Sequence, residues 1–170
     1  MSPTPTPTHV LGIDPGLSGA LALLRVSTRA VEGIFDMPVT GGRVDPARLA
    51  GIVEVCKMRG ENVVAAVEMV SSMPRQAGAF NFGVSAGCIH GVLGALGVPM
   101  SLIPPGVWKP AVGLRRIEAE SQAHNKSRAR ELASRLWPEM ADSFKRVKDD
   151  GRAEAALLAR HFIAKMGWVD

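Results

Sequence analysis

Apolar residues run almost unbroken through residues 9–14, HVLGID, and Pro15-Gly16 then turns the chain. Such a run, closed by turn residues, predicts a short central strand that ends at an acidic side chain. A second apolar run, residues 19–26, follows the tight turn, and a third, 30–37, is closed by Pro38. The three together predict an antiparallel β-meander. Asp45 stands before Pro46, the pattern of an N-cap followed by proline at the first helical position. Leu49, Ile52, Val53 and Cys56 then recur at helical spacing, and Gly60 ends the segment. Residues 63–70 predict a fourth strand, apolar except for Glu68. Residues 77–96 predict a helix so rich in Gly and Ala that it should pack very close to its neighbour. Residues 99–103 predict a fifth strand.

The remainder reads as helical with interruptions. Residues 104–112 form a short helix, 113–125 a polar and basic loop or irregular lead-in, and 126–136 a helix stopped by Trp137-Pro138. Residues 149–166 form the last helix, with Ala155, Leu158, Ala159 and Phe162 as its apolar stripe. Three antiparallel strands followed by two αβ units give an α/β fold, a mixed five-stranded sheet flanked by helices on both faces. With 170 residues, 46% of them apolar, the chain suffices for one domain with a proper core. Residues 1–8, with three Pro-Thr repeats, read as a flexible extended tail, and 9–170 as the single domain.

Composition narrows the function classes. The start lacks the basic and apolar regions of a signal peptide, and no apolar stretch approaches the roughly 18 residues of a membrane span. A cytoplasmic, reducing location is therefore expected. The two cysteines, Cys56 and Cys88, are too few for a disulfide scaffold or a Cys₄ zinc site and read as buried thiols. Residues 1–99 carry seven basic and seven acidic side chains, whereas 100–150 carry ten and seven. The surplus clusters at Arg115, Arg116, Lys126, Arg128, Arg130, Lys145, Arg146 and Lys148, the footprint a polyanion such as nucleic acid would use.

The candidate chemistry lies in carboxylates placed inside apolar elements. Asp14 ends the first strand and Glu68 interrupts the fourth. A buried carboxylate costs several kcal/mol unless it is paired or binds a cation. Asp150 and Glu154 lie four apart in KDDGRAEA, a spacing of about 400° that puts both on one helix face, whereas Asp149 would sit about 500° from Glu154. Each acid taken singly could cap a turn or a helix, or pair at the surface. One or two divalent cations would account for all four placements together. Oxygen ligands with no His/Cys cluster select Mg²⁺ or Mn²⁺. Two such ions about 4 Å apart would hold a phosphodiester, one activating the attacking water and the other steadying the leaving 3′ oxygen.

The segments that carry these acids resemble a known family. VLGIDPGLSGALALL resembles the opening of the RuvC family of Holliday-junction resolvases, which have an RNase H-like fold. EMVSSMPRQAGAFNFGVSAGCIHGVLGALGVPMSLIPPGVWK and KDDGRAEAALLA are similar to the middle and the C-terminal acidic motif of its phage and organellar members, and the likeness runs from about residue 9 to 167. The resemblance implies that Asp14, Glu68, Asp150 and Glu154 are the catalytic, metal-binding acids. It implies that Lys109 and Lys126 stand near the scissile phosphate, where a lysine would stabilise developing charge. Housekeeping members usually carry two Asp three apart in the last motif, and here Asp150 and Glu154 are four apart. Those members also place an aromatic wedge shortly after the catalytic Glu, where this chain has Val70-Ser71-Ser72-Met73-Pro74. Arg75 and Gln76 are the expected phosphate or base contacts there, joined by Arg115, Arg116, Lys126, Arg128 and Lys148 as phosphate-positioning residues.

The function implied is a homodimer that binds four-way junction DNA and nicks two strands of like polarity, leaving 5′-phosphate and 3′-hydroxyl ends. Mg²⁺ or Mn²⁺, two ions per site, is the implied cofactor. Neither a membrane nor a small-molecule substrate is expected. An RNase H-like nuclease of broader branched-DNA or structured-RNA specificity, or a junction-binding protein without turnover, is the alternative.

Overall fold

The computed structural model describes residues 5–60, 62–69, 79–115 and 121–169, with the side chains of 79, 122, 123, 125 and 126 outside that description. The elements run β1 (His9–Asp14), β2 (Ala20–Arg25), β3 (Val31–Asp36), β4 (Val39–Thr40), β5 (Arg43–Val44), α1 (Pro46–Arg59), β6 (Val63–Glu68), α2 (Ala79–Ala95), β7 (Met100–Ile103), α3 (Pro105–Ala111), α4 (Gln122–Leu136) and α5 (Asp150–Lys165). Two 3₁₀ turns, Pro138–Phe144 and Val147–Asp149, lead into α5. Five strands form one sheet in the order β3-β2-β1-β6-β7. β1 pairs antiparallel with β2 and parallel with β6, and β6 pairs parallel with β7. This is the mixed sheet expected from three antiparallel strands followed by two αβ units.

The central strands are buried on both faces, which is why they read as continuous apolar runs rather than as alternations. Leu11 and Ile13 of β1 point into a core shared with α1 and α2, beside Leu49, Val53, Ile89 and Leu93. Val10 of β1 and Ala20, Ala22 and Leu24 of β2 point into the opposite core, beside Trp108, Ala155, Leu158, Ala159 and Phe162. The stripe expected on the last helix is therefore its buried face. At Gly12 an added Cβ would lie 2.0 Å from the Ala155 carbonyl oxygen, so α5 lies against the β1 backbone itself.

Capping follows the sequence signals in most places. The Asp45 carboxylate accepts from the backbone N–H groups of Ala47 and Arg48 at the start of α1. Gly60 ends α1 in an extended conformation, and a Cβ there would meet the ring of buried His9 at 2.3 Å. That glycine answers a packing demand and not a left-handed turn.

Three local features add to the sequence expectation or qualify it. The β4–β5 hairpin was not expected, and Gly41 and Gly42, with φ of 59° and 73°, form its turn. Positive φ at both central residues is what a type I′ hairpin requires. α4 starts at Gln122, within the stretch expected as a loop, because the Ser121 hydroxyl accepts from the His124 N–H and caps it. Finally, among the described residues of the single chain α2 makes no close approach at its glycines: Cβ atoms built on Gly83, Gly87, Gly91 and Gly94 would meet none of them within 4 Å. Its small-residue face lies open in the single chain, with Phe80 78% exposed.

Candidate active site

β1 and β6 run parallel in register, with Ile13 opposite Val67 as the last pair. Asp14 and Glu68 are the next residue on each strand. In-register neighbours on parallel strands point to the same face, and here alternation assigns that face to α5, along with Val10 and Ala66. The two acids thus emerge side by side at the C-terminal ends of the central strands, where open α/β sheets carry their ligand sites.

Glycines bring the helix acid to them. Asp14 ends β1, and its side-chain Oδ1 accepts from the Gly16 N–H at 3.2 Å. A Cβ at Gly19 would lie 2.1 Å from the Asp14 carbonyl oxygen, and one at Gly151 would lie 2.7 Å from both the Gly19 Cα and the Ser18 oxygen. The first turn of α5 therefore sits against the β1–β2 turn with no side chain between them. Glu154 follows Gly151 by nearly one helical turn, and its charge acts on both Asp14 and Glu68.

Among the described residues, one cation lies among these three acids. Lys109 Nζ, from the end of α3, stands 2.9 Å from Glu154 Oε2 and 3.7 Å from Glu68 Oε2. The Glu68 Oε2 atom also accepts from the indole N–H of fully buried Trp108 at 2.8 Å. The Lys109 ammonium lies 5.3 Å from the centroid of the Trp108 ring. Burial, then the Glu154 charge, then that of Glu68, push the Asp14 acid from 3.8 to about 7 against the pull of the Gly16 N–H and Lys109. Burial also raises Glu68, with Lys109 opposing and Glu154 adding to the shift. Burial alone would lower Lys109, but Glu154 and Glu68 outweigh it and hold the ammonium above its ordinary value.

The other expected site residues have different partners or fall outside the described residues. Asp150 faces α4, where Arg130 Nε approaches its Oδ1 to 2.8 Å. Asp149 is buried and taken up by Arg146, through the backbone N–H at 2.8 Å and the guanidinium Nη2 at 2.8 Å. Arg128 donates to the carbonyl oxygens of Gly113 and Arg115, both at 3.1 Å, and so ties down the loop after α3. Arg115 and Lys148 are exposed. Arg75, Gln76 and Arg116 lie outside the described residues, as does the side chain of Lys126, whose backbone belongs to α4. An open cavity of about 720 Å³ beside α4 is lined by Arg128, Arg130, Arg135 and Lys145 over an apolar floor that includes Leu132 and Phe144.

Two contributors had no place in the sequence reading. Trp108 fixes Glu68, and Gly151 sets the height of Glu154 above the sheet. A buried indole must find an acceptor, and a glycine in a helix's first turn carries a propensity cost. Those are the signals that could have found them.

Among the described residues, no group of three His, Cys, Asp or Glu side chains is arranged to hold a metal ion. The reason is local: Lys109 draws Glu154, Trp108 and Lys109 share one Glu68 oxygen, and Arg130 faces Asp150. The donor chemistry nevertheless fits a divalent cation. Three oxygen-bearing acids converge there, and burial together with the charges of Glu154 and Glu68 raises Asp14 to about 7 in spite of the Lys109 ammonium.

A mixed five-stranded sheet flanked by helices, with acids at the central strand ends, is the RNase H-like fold. Within that class the likeness is to RuvC. A Thermus thermophilus RuvC in complex with Holliday junction substrate matches over 94% of this chain and 96% of its own, with a TM-score of 0.62 at 18% identity. A second Thermus thermophilus RuvC structure covers the same shares at a TM-score of 0.58 and 20% identity. The yeast mitochondrial Holliday junction resolvase covers 95% of this chain and 80% of its own, at 0.54 and 15%. No family model and no curated protein matches the chain. Among the described residues no helix is long and apolar enough to cross a membrane.

Proposed function

We propose that this protein is a divalent-metal-dependent endonuclease that resolves four-way DNA junctions by paired nicks. The observation that carries the reading is the meeting of Asp14, Glu68 and Glu154 at the β1/β6 strand ends, on a fold that matches a junction-bound RuvC along nearly its whole length. Asp14, Glu68 and Glu154 would hold Mg²⁺ or Mn²⁺, and Asp150 would join them by leaving Arg130. The bound ions would supply an activated water and charge neutralisation at the leaving 3′ oxygen. Trp108 orients Glu68 toward the phosphate, and Lys109 and Lys126 neutralise charge on it. Arg115 and Lys148, with Arg75, Gln76, Arg116 and Arg128, position the backbone, alongside the basic cavity by α4.

A homodimer suits the near two-fold symmetry of a junction and two symmetric cuts. The open Gly-lined face of α2, with Phe80 exposed, supports such an interface. The test is a panel of end-labelled substrates: four-way junction, matched duplex and RNA–DNA hybrid, each with Mg²⁺ or with EDTA. Symmetric nicks in the junction alone, abolished by EDTA, are expected. Equal cutting of all three substrates would instead favour a general RNase H-like nuclease, and binding without cutting an architectural role.

A further inference from the structure

Lys109 sits where a metal ion would be wanted. Its Nζ lies 2.9 Å from Glu154 Oε2 and 3.7 Å from Glu68 Oε2, and its charge also acts on Asp14. The same Glu68 oxygen is pinned by Trp108 at 2.8 Å, and Trp108 is fully buried and cannot follow a moving partner. Lys109 can move. Its side chain is 29% exposed, and a flexible four-carbon stem carries its head. An ammonium and a divalent cation cannot both occupy the space between these oxygens. We propose that Lys109 is an exchangeable internal cation of the carboxylate cluster, which neutralises the acids in the DNA-free protein and is displaced when a divalent ion enters. The proposal rests on the reading of the cluster as a metal site.

A substrate phosphate is the natural receiver of the displaced ammonium. Loading of metal and grip on DNA then become linked: by reciprocity, a phosphate that draws Lys109 outward strengthens metal binding by the factor by which metal strengthens phosphate binding. The DNA-free enzyme is thereby kept in a weakly loaded state, which limits cutting away from its substrate.

The test is a Mn²⁺ titration of the DNA-free protein, read by loss of the free-ion electron paramagnetic resonance signal. Lys109→Met is expected to bind Mn²⁺ about tenfold more tightly than the parent, within the usual range of coupling between sites, and Lys109→Arg to stay near the parent. Because Lys109→Met exposes its acids to one another and can fold poorly, a second measurement uses the unaltered chain. Amine-reactive labelling read by mass spectrometry is expected to rise at Lys109 on saturation with Mn²⁺, while Lys57, bonded to the Leu96 carbonyl, stays constant. Equal or weaker Mn²⁺ affinity in Lys109→Met, or unchanged labelling of Lys109 at saturation, overturns the exchange and leaves the metal site standing. No Mn²⁺ bound by any of the proteins overturns both.

Discussion

Asp14 makes the metal-free protein less stable as the solution becomes more alkaline. Its acid is pushed from 3.8 to about 7 by burial and by Glu154 and Glu68. A carboxyl whose folded value lies above its unfolded value favours the fold fully below about pH 4, and that contribution disappears as pH rises to about 7. At 1.36 kcal/mol per unit, the loss between pH 5 and pH 8 comes to about 2–3 kcal/mol. Asp14→Asn keeps an oxygen for the Gly16 N–H but carries no charge. In EDTA, the variant should match the parent only below about pH 4, and its advantage should grow by about 2–3 kcal/mol between pH 5 and pH 8. The assay is urea unfolding of both proteins across that range, compared as a difference. The difference cancels titrations remote from the acid cluster: burial lowers His161, whose stabilising trend runs the opposite way, with stability rising as pH climbs through the usual histidine range. The lowered acids Asp36, Asp45 and Asp149 lose their contribution only below about pH 4, outside the window. A variant less stable than its parent at pH 8, or a difference that does not grow with pH, would refute the claim that Asp14 is held in an acid-crowded, buried site.

Two further substitutions probe how the site is built. Gly151→Ala drives a methyl into the Gly19 backbone at 2.7 Å, so we expect destabilisation of about 1–3 kcal/mol in urea and a loss of junction nicking larger than the loss of folded protein. Trp108→Phe removes the 2.8 Å bond to Glu68, and we expect a cost of about 1–2 kcal/mol and slower single-turnover nicking with junction binding retained. Unchanged nicking in either variant would detach that residue from the site.

Much of this architecture was legible in the chain because two periodicities are strong. Strands buried on both faces leave apolar runs, and an acid that breaks such a run stands out, as Asp14 and Glu68 do. The register that sets them side by side is a pairing property and could be read only from the folded sheet. The helix pair was half legible. Spacing alone puts Asp150 and Glu154 on one face, but Arg130 from α4 and Lys109 from α3 give them different partners, and no local pattern encodes that. The Gly/Ala content of α2 was legible as a close-packing surface, but composition does not say whether such a face meets the chain's own core or a second copy. The hydroxyl of Ser121 and the Gly41-Gly42 pair were local signals that polar surroundings obscured.

The metal assignment can be tested directly by anomalous diffraction from crystals grown with Mn²⁺. The account expects a manganese peak bridging the carboxylates of Asp14, Glu68 and Glu154, with the Lys109 ammonium moved away from Glu154. A site empty of manganese at saturating concentration, with Lys109 still bonded to Glu154, would contradict it.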